Sequence, residues 1–299
     1  MASKKKNWHG KTGGGSFGQR ALFGYFRHGS VRLAYGIMGF VIFFYLIINR
    51  NATRNIYRYF RQRQRFGRGR AVVNVYLNHY LFGKTLIDKF ALFAGRKNEY
   101  SIEQTGVEWF NNAAMDKERG AILVHAHVGC SEIVGYTLSQ PYKTINAVVY
   151  GGEVETMQRF RSNILSGQNV KMIPVVDGFS HIFDVNNALK NNEFVSISAD
   201  RIYEGSRNHP VNFMGAVAEF PIAPFQLAAR MKVPVLAYFV MQDGFKKYKC
   251  HIVEISDAES KGLPVQQQVE KFTERFAHEL EKILNKYPLQ WYNFHSFWK

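Results

Sequence analysis

From residue 100 to residue 286, short β-branched apolar runs alternate with amphipathic ones, and no feature of the sequence constrains the fold more. The runs at 100–105, 121–124, 145–150, 170–176, 194–199, 233–241 and 248–255 have the length and composition of strands. Between them, 107–114, 153–165, 182–190 and 221–232 carry helical spacing, and 266–286 reads as a long amphipathic helix. Strands separated by helices make an α/β fold: a mixed, largely parallel sheet flanked by helices. With 299 residues and 46% hydrophobic composition, the chain can bury one catalytic domain with additions. No internal repeat is visible.

The stretch from Gly120 to Glu132 places polar chemistry at the end of one such strand. After the apolar run 121–124 come His125, His127, Gly129, Cys130, Ser131 and Glu132. Ser131 is suited to cap a following helix. The carboxyl end of a strand is where open α/β sheets bind their ligands. Residues five apart in a regular helix lie about 140° apart around the axis, too far to pair easily. With His127 in a loop that bends at Gly129, the Glu132 carboxylate is expected to fold back onto the imidazole. A carboxylate on one ring nitrogen fixes the tautomer and raises the basicity of the other. Such a pair is a general base that works without a protein nucleophile. Three other readings stay open. His125 and His127 would begin a metal site, although the usual further ligands do not follow closely. Cys130 would be a nucleophile beside His127. His125 would be a packed strand-end residue. No metal and no cofactor are expected.

Charge divides the chain. Of the 39 Lys and Arg, 16 precede the first acidic residue, Asp88, which leaves 23 basic residues against 23 acidic ones in the remainder. The body is therefore neutral, whereas a nucleic-acid enzyme more often carries basic charge around its cleft. Residues 33–48 are uncharged and largely apolar, with Arg27 and Arg32 before them and Arg50 and Arg54 after. As a helix this stretch spans about 24 Å, short of the roughly 30 Å of a hydrocarbon core. With basic residues on both flanks, shallow embedding or re-entry is favoured over a span; a buried core helix is the competing reading. Arg50, Arg54, Arg58, Arg61, Arg65 and Arg68 then form one helical stripe, ended by Gly67 and Gly69. No acid relieves their repulsion, and an anionic surface would. Residues 71–93 read as a second helix. The organisation expected is a basic, Gly-rich mobile tail (1–30), a membrane-associated helix with its arginine stripe (31–70) and a catalytic domain (71–299). Cys130 and Cys250 give no disulfide framework and fit a reducing compartment.

Four blocks together resemble the lysophospholipid acyltransferase superfamily, and within it the lipid A late acyltransferase branch. They are His127-Val-Gly-Cys-Ser-Glu132, Arg159-Phe-Arg161-Ser-Asn163, Asp200-Arg-Ile-Tyr203 leading to Phe213-Met214-Gly215, and Pro288-Leu-Gln-Trp291 with His295 beyond. The likeness runs from about residue 107 to the C-terminus. It implies a glycerolipid acyltransferase-like fold on the cytoplasmic face of the inner membrane. It implies transfer of a fatty acyl chain from an acyl carrier protein or CoA thioester to a hydroxyl of a membrane lipid. His127 and Glu132 would be catalytic, and Arg159, Arg161, Asp200 and Tyr203 would contact substrate. The branch differs at three positions: it usually has Asn where Cys130 stands, and Gln and Asp where Arg201 and Ile202 follow Asp200. These differences bear on the acceptor, and N- or O-acylation of another lipid, such as an aminoacyl or polyene lipid, is the competing activity. A membrane-bound binding protein without catalysis is the competing class.

Overall fold

The computed structural model describes residues 24–133, 143–150, 169–175, 180–202, 205–260 and 262–298. The expected helix at 153–165 lies outside them. Seven strands form one sheet in the order β1-β9-β8-β2-β5-β3-β4. They are β1 (Ser101–Thr105), β2 (Ala121–His125), β3 (Ile145–Tyr150), β4 (Val170–Val175), β5 (Phe194–Ser198), β8 (Val235–Gly244) and β9 (Lys247–Glu254). Every neighbouring pair is parallel except β8 with β9. The mixed, largely parallel sheet expected from the alternation is therefore present.

Its central strands are covered on both faces, as parallel sheets require. Successive side chains of a strand point to opposite faces, and β2 divides accordingly. Ile122 and Val124 join the core built with α5 (Ser180–Lys190), α6 (Ala223–Met231) and α7 (Val265–Lys286), whereas Ala121 and Leu123 join the core built with α4 (Val107–Met115). A two-stranded antiparallel hairpin, β6 (Asn208–Phe213) and β7 (Ala216–Pro221), was not expected from the sequence. Its loop is Met214-Gly215 with φ of 52° and 76°. Positive φ at both loop positions is the geometry that matches strand twist in tight hairpins, and Gly215 adopts it without strain. The helix expected to begin at Pro221 begins two residues later, because Pro221 closes β7.

The basic run is not one helix. Helix α2 (Arg50–Arg58) passes into a π-helical turn (Tyr59–Arg63) and stops; Gly67 then precedes α3 (Arg68–Phe93). Gly67 thus opens a helix instead of ending one. The reason is burial on the other side of the chain: Ile56, Tyr59 and Phe60 are 0%, 3% and 0% exposed and belong to the main core. Arg50, Arg54, Arg58, Arg65 and Arg68 remain exposed.

Helix α1 (Val31–Ile48) is the one helix among the described residues long and apolar enough to cross a membrane. Only 22% of it is buried, so the core-helix reading does not hold. Val31, Ala34, Tyr35 and Ile42 face the protein, while Leu33, Ile37, Phe40, Phe43, Phe44, Ile47 and Ile48 are exposed. Its inner face is tied down by a buried carboxylate. Asp88 on α3 accepts from Tyr35 (2.5 Å), Tyr100 (2.8 Å), Gln242 (3.2 Å) and Tyr248. Burial raises the Asp88 pKa, and the three tyrosine hydroxyls work against that rise. Replacing Phe40, Phe43, Phe44 and Ile47 together by Ser is expected to move the full-length protein from the membrane pellet toward the supernatant. Circular dichroism should be unchanged, since exposed positions alter stability by no more than about 0.5 kcal/mol each. Changing Arg54, Arg58 and Arg65 to Gln should leave most protein in the pellet.

Candidate active site

Parallel pairing of β2 with β5 sets His125 beside Ser198, and the Ala199 N–H donates to the His125 carbonyl (2.8 Å). Both strands end here, so His127 and Asp200, each two residues on, emerge together. The His127 backbone N–H donates to Asp200 Oδ2 (2.8 Å), and His127 Nδ1 lies 2.7 Å from Asp200 Oδ1. Asp200 is 3% exposed. Burial pushes its pKa up, but the charge of His127 and its two hydrogen bonds outweigh this and hold it at about 2. An ionised Asp200 can only accept, so Nδ1 carries the hydrogen, and the lone pair of the neutral ring falls on Nε2. Nε2 has no hydrogen bond among the described residues, and a third of the His127 side chain is exposed (33%).

The carboxylate on His127 is therefore Asp200 and not Glu132, as expected from local spacing. Glu132, in a 3-10 turn (Ser131–Ile133), turns instead to Lys89 of α3, whose Nζ lies 2.7 Å and 2.6 Å from its two oxygens. The loop is short here, and the Cys130 N–H donates to the Val240 carbonyl of β8 (2.8 Å). Lys89 was not singled out in the sequence; it follows Asp88 in a largely apolar helix, and only the packing of α3 gives it Glu132 as a partner.

The loop between His127 and Glu132 is held from two sides. Val128 forms an antiparallel bridge with Trp291, the Gly129 N–H donates to the Gln290 carbonyl and the Tyr292 N–H to the His127 carbonyl, both at 2.9 Å. Gln290 exchanges two 2.8 Å bonds with the Gln242 backbone, and Asn78 of α3 donates to the Leu289 and Trp291 carbonyls, each at 2.9 Å. The terminal block Pro288–Trp291 thus acts on His127 through the backbone. Gly129 sits at φ 53°, where a Cβ would lie 2.0 Å from the Val240 oxygen.

The remaining candidates separate clearly. His125 packs against the Tyr238 ring (centroids 5.2 Å apart, planes tilted by 40°), its buried Nδ1 has no partner among the described residues, and burial, then the charge of His127, lowers its pKa to about 4. It is a neutral, packed residue. Cys130 is 6% exposed and packs with Leu123 and Ile133 on the far face of the sheet. Burial raises its thiol far above the ordinary range, which opposes a nucleophilic thiolate. Among the described residues, no group of three His, Cys, Asp or Glu side chains is arranged to hold a metal ion. His295 lies within electrostatic reach of Arg201, Asp200 and His127, and burial lowers its pKa. Arg159, Arg161 and Tyr203 lie outside the described residues.

A His–Asp pair therefore stands at the carboxyl edge of a largely parallel sheet, the place where open α/β folds hold their ligands. The family model described as bacterial lipid A biosynthesis acyltransferase matches residues 26–299, and the chain belongs to that family. It is thus an acyltransferase by family. No curated protein matches it. Among solved structures, the 1-acyl-sn-glycerophosphate (LPA) acyltransferase PlsC from Thermotoga maritima is similar, at 15% identity over 85% of this chain and 98% of that one, with a TM-score of 0.37.

Gly129→Ala is expected to cost at least about 2 kcal/mol, from left-handed strain and backbone overlap. A lowered thermal midpoint, with transfer activity lost in parallel, checks this.

Proposed function

We propose that the protein moves a fatty acyl chain from an acyl carrier protein or CoA thioester to a hydroxyl of a membrane lipid, with His127 as the general base. The observation that carries this reading is the 2.7 Å bond between His127 Nδ1 and Asp200 Oδ1, with Nε2 left open. Nε2 takes the proton of the acceptor hydroxyl, and the oxygen attacks the thioester carbonyl carbon. A new C–O bond forms, the tetrahedral oxyanion collapses, and the C–S bond breaks. His127 returns the proton to the departing thiolate. Asp200 keeps the ring in the Nδ1–H tautomer and balances the imidazolium. The Lys89–Glu132 pair supports the loop from behind. Arg159, Arg161 and Tyr203 are proposed to contact substrate, following the family motif alone.

The exposed face of α1 would lie in the cytoplasmic leaflet of the inner membrane, with Arg50, Arg54 and Arg58 at the headgroups. Each arginine there contributes about 1 kcal/mol. Arg201 and Ile202, where the branch has Gln and Asp, favour a second reading in which the acceptor is another lipid, such as an aminoacyl or polyene lipid. Mass spectrometry of lipids from cells with and without the gene distinguishes them: the acylated species that disappears is the product.

His127→Ala is expected to abolish transfer by the purified protein. Asp200→Asn should lower kcat by about 10²- to 10⁴-fold, a larger loss than Glu132→Gln. Turnover near the wild-type rate in the His127 variant, or a greater loss at Glu132 than at Asp200, would reverse these assignments. Cys130→Ser should keep substantial activity, because attack comes from the acceptor. A thioester trapped on Cys130 and seen by intact-protein mass spectrometry would overturn direct transfer.

A further inference from the structure

A cleft of about 310 Å³ opens between the α2–π-turn segment and the C-terminal segment. Its described lining includes Arg58, Gln62 and Arg63 on one side and Trp291, Asn293 and His295 on the other, and no acidic side chain. Arg58 and Arg63 make no hydrogen bond or ion pair with any described residue. Arg63 is nonetheless held in place: its guanidinium carbon lies 4.6 Å from the centre of the Trp298 ring. Its Nε is buried without an acceptor, and so is the Nε1 of Trp291, a residue that is 1% exposed. Buried N–H groups in native proteins are nearly always paired. Two donors of residues that line the cleft thus have no acceptor among the described residues, and among those residues neither guanidinium has a counter-ion. Asn293 Oδ1 is the converse, a buried acceptor without a donor.

The cleft lies next to the chemistry. His295, on its wall, is within electrostatic reach of Asp200 and His127. Arg58, on the opposite wall, continues the exposed arginines of α2 that adjoin the apolar face of α1.

We propose that this cleft is an anion subsite that takes the phosphate of a phosphorylated acceptor lipid. Arg58 and Arg63 supply the charge, in the fork geometry that matches phosphate oxygens. The Trp291 indole N–H adds a neutral donor, and Asn293 Oδ1 accepts from a hydroxyl beside the phosphate. The phosphate would then position the headgroup so that its reacting hydroxyl meets His127 Nε2. The identity of the occupant rests on the acyl-transfer reading; the anion binding rests on the lining alone.

The test is direct binding to the full-length protein in neutral detergent, read by tryptophan fluorescence, since Trp291 and Trp298 line the cleft. The probe is dihexanoyl phosphatidic acid, with dihexanoylglycerol, inorganic phosphate and coenzyme A for comparison. Saturable binding of the phosphatidic acid is expected, with displacement by inorganic phosphate and none by coenzyme A at the same concentration. Dihexanoylglycerol should show no saturable binding. Arg58→Gln and Arg63→Gln should each weaken binding at least tenfold, with Arg63→Lys recovering part of it. His127→Ala should bind as wild type does. Equal affinity in the wild type and both Gln variants would overturn the subsite. Coenzyme A competing as well as phosphatidic acid, and losing affinity in the same variants, would overturn the acceptor assignment and give the cleft to the donor. If His127→Ala still transfers acyl groups while the arginine variants lose binding, the subsite stands and the proposed mechanism falls.

Discussion

The site depends on the side-by-side ending of two buried parallel strands. Because β2 and β5 pair in register to His125 and Ser198, the residues two steps beyond each strand meet without any special loop. The register does more than bring them near. It gives Asp200 two donors from one residue, the backbone N–H and Nδ1 of His127, so the carboxylate is satisfied on both oxygens. A buried, ionised aspartate with two such bonds resists rotation, and the imidazole inherits that rigidity. Pre-set orientation of this kind is what a general base needs, since a misplaced lone pair loses rate however basic it is.

Helix α3 connects this site to the amino-terminal elements. One turn of it carries Asp88 and Lys89, which point to different tasks. Asp88 gathers hydroxyls from α1, from Tyr100 and from β9, and so fastens the exposed apolar helix to the sheet edge. Lys89 holds Glu132. Both are buried charges, and a buried charge persists only where partners replace water. The surface that would enter a lipid layer and the loop that bears His127 are thus braced by adjacent residues of a single helix.

The carboxyl-terminal segment has a comparable role from the other side. It adds one antiparallel bridge beside Val128 and fills the space under α2 with Trp291, Phe297 and Trp298. Its hydrogen bonds to the His127 loop run through main-chain groups, and the Gln290 side chain ties it to the Gln242 backbone of β8. The aromatic composition of this tail is therefore a packing requirement, and the cleft left between it and α2 takes its basic character from the arginines of α2 and the π turn.

Periodicity and local chemistry in the sequence determined the layers of the protein. The β-branched runs are strands, the amphipathic runs that are described are helices, and His127 stands at a strand end because apolar residues precede it and Gly129 follows. Strand pairing was not legible, because alternation records which face a residue occupies and not which strand lies beside it. Glu132, five residues from His127, was the natural local partner, and Asp200, 73 residues away, became the actual one through β2–β5 adjacency. The same limit hid Lys89, whose partner comes from another layer. It hid the β6–β7 hairpin, whose first strand is largely polar and carries Pro210 and whose second ends at Pro221, read from the sequence as a helix start. It also hid the break in the arginine stripe, because charge spacing alone continues a helix that burial of Tyr59 and Phe60 ends. Local sequence sets element type through backbone and solvent preferences acting over a few residues; the pairing of distant charges is decided only when the sheet closes and removes them from water.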